Sequence, residues 1–350
     1  MATSPHALIV NGVLENADLN GASLAGTDFS DIRFLNVDLR GADLSQANFS
    51  QAQFEHCDLS GATLKAAVFN GSTFNTANLS GAQLQQAVLS TVSLFQVDLS
   101  HADLSEADLS ASLFDACRLD NARLQGANLD CSKMNACSLN GTVLEHANLN
   151  RWMVLQSDLS TVVFGNNNLQ QAMFTNANLA GQRFPDCDLT LTLFNEANLQ
   201  GADFSGMTLS QTQFTQSVLK GANLGNLNAD SVNFAMADLS AATLAGSTFD
   251  TCDFSLAVLE QVNAQGSSWR VTPMVGMKAR RSVWDNAQLE LCDLSHASLD
   301  DASLRQVTLK VCNLHKLSEA QAVWDGASFN HTQRTDAARE KAENWQPPPA

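Results

Sequence analysis

Ala42-Asp43-Leu44-Ser45-Gln46-Ala47-Asn48-Phe49-Ser50 sets the frame that decides the fold: a large apolar residue at every fifth position, with a small residue two before it. The pattern recurs as Ala17-Asp18-Leu19, Ala102-Asp103-Leu104, Ala147-Asn148-Leu149 and Ala197-Asn198-Leu199. From Ile9 to Phe329 there are 65 such centres, of which 54 are Leu or Phe. Between Leu14 and Leu224 only Met134 and Val154 depart from those two types. A period of five fits neither an amphipathic helix nor a strand that alternates with period two. It predicts a coil that turns a corner every five residues.

The tandem Ala-(Asp/Asn)-Leu-x-x motif resembles the pentapeptide-repeat proteins over roughly residues 7–331. The resemblance implies an all-β fold, a right-handed quadrilateral β-helix in which four five-residue sides make a coil of 20 residues. On that basis the chain holds about 16 coils. The family is mostly bacterial, and most of its members have no assigned activity.

Columns of residues 20 apart agree with such stacking. Leu19, Leu39, Leu59 and their successors stay Leu to Leu259, which makes Leu139 and Leu159 core positions. A second column holds Phe34, Phe54 and Phe74, then Phe174, Phe194, Phe214, Phe234 and Phe254, with Phe164, Phe184 and Phe204 across the coil. Identical side chains should then sit about 4.8 Å apart, each contributing roughly 1.5–3 kcal/mol on burial. At Leu227-Asn228-Ala229 the large and small inward residues exchange places, and Trp152 with Val154 reads the same way; volume-conserving swaps suit a packed core. Of 19 Gly, 16 fall two residues after a centre, where a tight corner favours them. Seven of eight Cys take the small inward position and read as buried thiols behaving as small hydrophobes; Cys131 should face outward.

One repeat-built domain, 1–331, follows from the unbroken frame. Its weakest part is about 264–284, where the centres become Ala264, Trp269, Met274, Ala279 and Trp284, read here as a degenerate or partly looped coil. Residues 332–350 read as a short C-terminal α-helix and a proline-rich tail: Asp336 is a candidate N-cap, and Pro347-Pro348-Pro349 would end the helix. Ala338, Ala342 and Trp345 share a helical face that could cap the last coil, shielding backbone groups that an open sheet end would expose. The alternative use of that end is a homodimer interface. No run of 18 apolar residues occurs, and no basic segment followed by an apolar run opens the chain, so a cytoplasmic location is expected, without a membrane span or secretion signal.

Charge offers one functional reading. Residues 1–265 carry 9 Lys/Arg and 26 Asp/Glu, whereas residues 266–350 carry 10 of each. Asp18, Asp38, Asp58 and Asp98 stand in one outward column. The family includes quinolone-resistance proteins that imitate duplex DNA and bind topoisomerases. Duplex DNA carries a charge per about 1.7 Å, against roughly one per 3.7 Å here over coils of about 4.8 Å. A second candidate surface is apolar: Met153, Met173 and Leu193 fall in one outward column, with Leu191 and Leu155 nearby. A third is basic: Arg270, Lys278, Arg280 and Arg281 within the irregular coil.

Catalysis finds no foothold in the sequence. The seven His are scattered, no metal-ligand or nucleotide-loop motif occurs, and no cofactor or metal is expected. The expected function is a non-enzymatic bacterial scaffold that binds a protein partner along the faces of a rigid acidic rod, without direct nucleic-acid or membrane binding. Alternatives are a DNA-mimicking topoisomerase (gyrase) binder, and an accessory or effector of a bacterial secretion system.

Overall fold

A computed structural model describes residues 8–345. The chain forms two compact units, residues 8–178 with Phe184–Leu189, and Leu179–Arg183 with residues 190–345. In the first, a five-residue frame places three-residue strands 20 apart: β1 (Val13–Glu15), β2 (Arg33–Leu35), β3 (Gln53–Glu55), β4 (Thr73–Asn75), β5 (Ser93–Phe95), β6 (Leu113–Asp115), β7 (Lys133–Asn135) and β8 (Met153–Leu155). They pair in sequence order, all parallel, each residue opposite the one 20 further on. In the second unit β9 (Thr208–Ser210), β10 (Asn228–Asp230), β11 (Thr248–Asp250), β12 (Ser268–Arg270), β13 (Gln288–Glu290), β14 (Thr308–Lys310) and β15 (Ser328–Asn330) do the same. The other sides of each coil make single parallel bridges at the same offset, such as Asp18 with Asp38 and Asp38 with Asp58.

Burial follows the frame. Leu139 and Leu159 are fully inside, as are Phe194 and Phe214, whose rings stack at 5.2 Å. Phe54 lies 4.6 Å from Phe34 and 4.4 Å from Phe74, with the three rings almost parallel. Both proposed swaps hold, since Leu227, Ala229, Trp152 and Val154 are all buried. The corner residue two after a centre typically has positive φ, for example Gly41 at 59°. Glycine is favoured there but not required: Gln46 takes 58° and Glu106 takes 59°.

Corners come in two kinds, a distinction the sequence reading did not make. At a closed corner the N–H three residues after the centre donates to the centre's carbonyl, as Ala22 does to Leu19 at 3.0 Å. The corner after each strand centre has no such bond. At several of them the inward residue of the next coil donates to the centre carbonyl instead: Cys57 to Phe34, Cys117 to Leu94 and Cys137 to Phe114 in the first unit. In the second unit Cys252, Cys292 and Cys312 donate to Ala229, Trp269 and Leu289, and Thr272 to Phe249. Six of the seven inward Cys therefore act as weak donors at open corners, not merely as small apolar fillers. All eight thiols are free and only Cys131 is exposed. Burial pushes Cys57 up to about 11 and Cys252 up to about 12.

Residues 264–284 form a complete coil with no looped segment. β12 pairs with β11 and β13, and Trp269, Met274, Ala279 and Trp284 are buried. Large Trp rings and the inward Met277 offset the volume lost at the Ala centres. Each indole N–H is satisfied by the Ser two before it: Trp269 donates to Ser267 and Trp284 to Ser282, both at 2.7 Å.

Helix α1 (Ala337–Glu343) begins at Asp336, whose carboxylate accepts the N–H groups of Ala338 and Arg339. The apolar face expected to cover the last coil does not do so. No helix residue is buried, Trp345 is 70% exposed, and Phe329 is 40% exposed. The helix holds to the coil by polar contacts through Glu343. Pro347–Pro349 lie outside the described residues.

Candidate functional surfaces

The acidic column assembles as read: Asp18, Asp38 and Asp58 bridge in series, and Asp98 follows Asn78. Each carboxylate, however, closes its own corner by accepting a backbone N–H two residues on. Asn20 donates to Asp18 at 3.1 Å, Arg40 to Asp38 at 3.0 Å, Ser60 to Asp58 at 2.9 Å and Ser100 to Asp98 at 2.8 Å. Short polar side chains favour such local turns. Arg40 also grips Asp38 through two nitrogens and holds its carboxyl below the usual range, while Arg118 stands 3.9 Å from Asp98. The column is therefore built for turns and is partly neutralised.

The apolar column is divided between the two units. In the first, Met153 on β8 bridges Met173; both are half-buried, with Leu155 half-buried beside Met153. In the second, Leu193 bridges Gln213, and Leu191 is exposed at a corner.

The basic residues do not form one patch. Ten residues is half a coil, so Arg270 and Arg280 lie at opposite edges. Arg270 pairs with Asp250 at 2.6 Å and holds that carboxyl low. Arg280 lies 3.9 Å from Asp301, and with Arg281, Glu260 and Gln261 it lines a shallow depression. Lys278 is exposed on the side between, where it bridges Val258 and Ser298.

A cluster absent from the sequence reading forms where α1 meets the coil. Glu343 Oε2 lies 2.9 Å from Lys316 Nζ, 3.3 Å from His315 Nε2 and 3.6 Å from His296 Nε2; Arg339 takes the other oxygen at 2.9 Å. Hydrogen bonds from Lys316 first, then from His315 and Arg339, bring the Glu343 carboxyl down to about 2. No spacing motif could reveal a cluster that joins His296, His315 and Glu343, which are 19 to 47 residues apart. Two His and a carboxylate suggest a metal, but the proton count opposes it. His315 Nδ1 accepts the Asp336 N–H at 3.1 Å, which leaves Nε2 as the protonated nitrogen facing Glu343. A ligating imidazole needs the reverse arrangement. The cluster is a clasp for α1.

Among the described residues no helix is long and apolar enough to cross a membrane. The architecture is that of a parallel β-helix with five-residue sides. The profile for the pentapeptide repeat region matches residues 9–84, 67–144, 127–204 and 157–234, and that for eight-copy pentapeptide repeats matches 279–318. The chain belongs to the pentapeptide-repeat family. Similar solved structures include a pentapeptide repeat protein of the Arabidopsis thaliana thylakoid lumen, 35% identical over 24% of this chain and 59% of that one, TM-score 0.24. HetL, involved in heterocyst differentiation regulation in the cyanobacterium Nostoc sp. strain PCC 7120, is 19% identical over 90% of this chain and 87% of its own, TM-score 0.20. QnrB1, a plasmid-mediated fluoroquinolone resistance protein, is 12% identical over 67% of this chain and 96% of its own, TM-score 0.26. The curated proteins yield no match.

Proposed function

We propose that the protein is a non-enzymatic, cytosolic scaffold that binds another protein through outward faces of its β-helix. The Met153–Met173 pair carries this reading. Both side chains lie on an outward side where Arg33, Gln53, Thr73, Ser93 and Lys133 stand in earlier coils, Val13 and Leu113 being the other apolar members of that column. Flexible, polarisable Met suits a contact that adapts to its partner. Free thiols throughout support a reducing compartment. The topoisomerase reading draws less support, because Asp38 and Asp98 already face Arg40 and Arg118. Affinity capture from host lysate, repeated with Met173→Asp, tests the proposal: the variant should lose at least one protein that wild type retains. Identical capture by both would remove the Met pair as the site. Inhibition of gyrase supercoiling by wild type, abolished by high salt, would favour the DNA-mimic alternative.

A further inference from the structure

In the second unit one side of the β-helix departs from the polar pattern on both of its edges. Along one corner Val271, Leu291 and Val311 stack in consecutive coils and are 37%, 48% and 45% exposed. Their backbones interlock, Val271 N–H donating to Glu290 O at 3.0 Å and Leu291 N–H to Lys310 O at 2.9 Å. Along the next corner Met236 and Leu256 are 50% and 54% exposed. Between the corners lie exposed Pro273 and half-buried Val275. A Cβ on Gly276 would meet Leu256 Cδ2 at 2.8 Å, so glycine there leaves Leu256 room across the corner.

The backbone adds an independent sign. Val271 has φ 50° and Val311 φ 55°, a left-handed conformation that β-branched residues disfavour. Gly or Asn fills many corners of this chain at less cost, and the other β-branched corner residues, Thr76, Thr91 and Thr251, are polar. An exposed, strained Val gains nothing from the core, so the fold itself does not account for it.

Charge then narrows the occupant. Around this side stand Asp230, Asp250, Asp253, Glu290 and Asp293, against Arg270, Lys310 and, in the corner column of Met236 and Leu256, Lys316. All three cations are engaged, Arg270 with Asp250, Lys310 with Glu290 and Lys316 with Glu343. Among the described residues no cation lies within salt-bridge distance of Asp230, Asp253 or Asp293. A second copy would bring the same acidic surface on a chain of net charge −17, and an anionic lipid surface would be repelled too. We infer that this side, from Met236 to Val311, is a docking surface for a cationic protein segment with an apolar face, anchored on Leu256 and Leu291. The inference deepens the scaffold reading and rests on it, but at a surface separate from Met153–Met173.

The test uses the full chain and two fluorescent amphipathic peptides of about 14 residues, one Leu/Lys and one Leu/Glu, at roughly 0.15 M salt. The Leu/Lys peptide should bind at concentrations below about 100 μM and the Leu/Glu peptide should not. Leu256→Ser with Leu291→Ser should weaken Leu/Lys binding about tenfold or more, ~1.4 kcal/mol or more. Leu113→Ser, at an exposed site in the first unit, should leave binding unchanged. Val271→Gly, which also relieves the backbone, provides a second variant whose fold is not in question. Equal binding of both peptides, or equal weakening by Leu113→Ser, would overturn the inference. So would a dimer in sedimentation that Leu256→Ser dissolves, because the occupant would then be a second copy. If lysate capture fails for Met173→Asp while the Leu256 and Leu291 variants bind Leu/Lys normally, this inference falls and the scaffold reading stands.

Discussion

Phe54→Ala probes the stacking that organises the core. Phe54 is fully buried, and its ring lies against Phe34 at 4.6 Å and Phe74 at 4.4 Å, with interplanar angles of 10° and 3°. Truncating a buried Phe to Ala costs roughly 3–5 kcal/mol, transfer and cavity together. The two stacked contacts account for about 0.5–1.5 kcal/mol each beyond buried area, with Phe49 and Phe69 touching the same ring at 5.4 and 6.1 Å. Phe54→Leu keeps most of the volume and loses those contacts, so it should cost about 1–3 kcal/mol. Leu fits the column, since Leu94 already sits in register between Phe74 and Phe114. In a solenoid each coil contacts chiefly its neighbours, so the loss should be local. Native-state hydrogen exchange should show Phe54→Ala lowering the opening free energy of amides in β2, β3 and β4, with β7 little changed. A loss below about 1 kcal/mol, or one spread evenly to β7, would refute the ladder as the stabilising unit.

Two further outcomes follow from buried and interfacial polar contacts. Ser267→Ala should strand the buried Trp269 N–H and cost about 1–3 kcal/mol in denaturant unfolding, with Ser282–Trp284 left intact as the comparison; a change within about 0.5 kcal/mol would contradict this. The Glu343 carboxyl is lowered from 4.5 to about 2, so its contribution to holding α1 is present above 4.5 and is lost as pH falls from 4.5 through 2. Amide exchange over Ala337–Glu343, corrected for intrinsic rate, should accelerate in that window. Glu343→Gln should show the same acceleration at neutral pH, and unchanged exchange in both cases would rule out the clasp.

The architecture was legible because its period of five is expressed at nearly every centre, from Leu14 to Leu224 and again from Leu289. Leu139, Phe194 and the Leu227/Ala229 exchange all fell where that frame put them. The open corners were not legible, because Cys and Val serve equally well as small inward residues, and only the backbone shows which carbonyl lacks its turn bond. Arg270 to Arg281 looked like one basic cluster in linear order, yet half a coil separates its ends. The apolar side of the second unit was hidden for the opposite reason. Met236, Leu256, Val271 and Leu291 are far apart in sequence, each at a corner position where Gly and Gln also occur, and only stacking brings them together. The Glu343 clasp depends on where a short helix lands, which periodicity cannot specify.

The fixed offset of 20 between partners has an evolutionary corollary. Losing one codon would turn every later side chain out of its column, and gaining five would rotate everything downstream by a quarter turn. Only excision or duplication of an entire coil rejoins matching edges, Phe to Phe and carbonyl to thiol. The length of such a gene should therefore drift in steps of sixty nucleotides, each step adding or deleting one ready-made layer of surface.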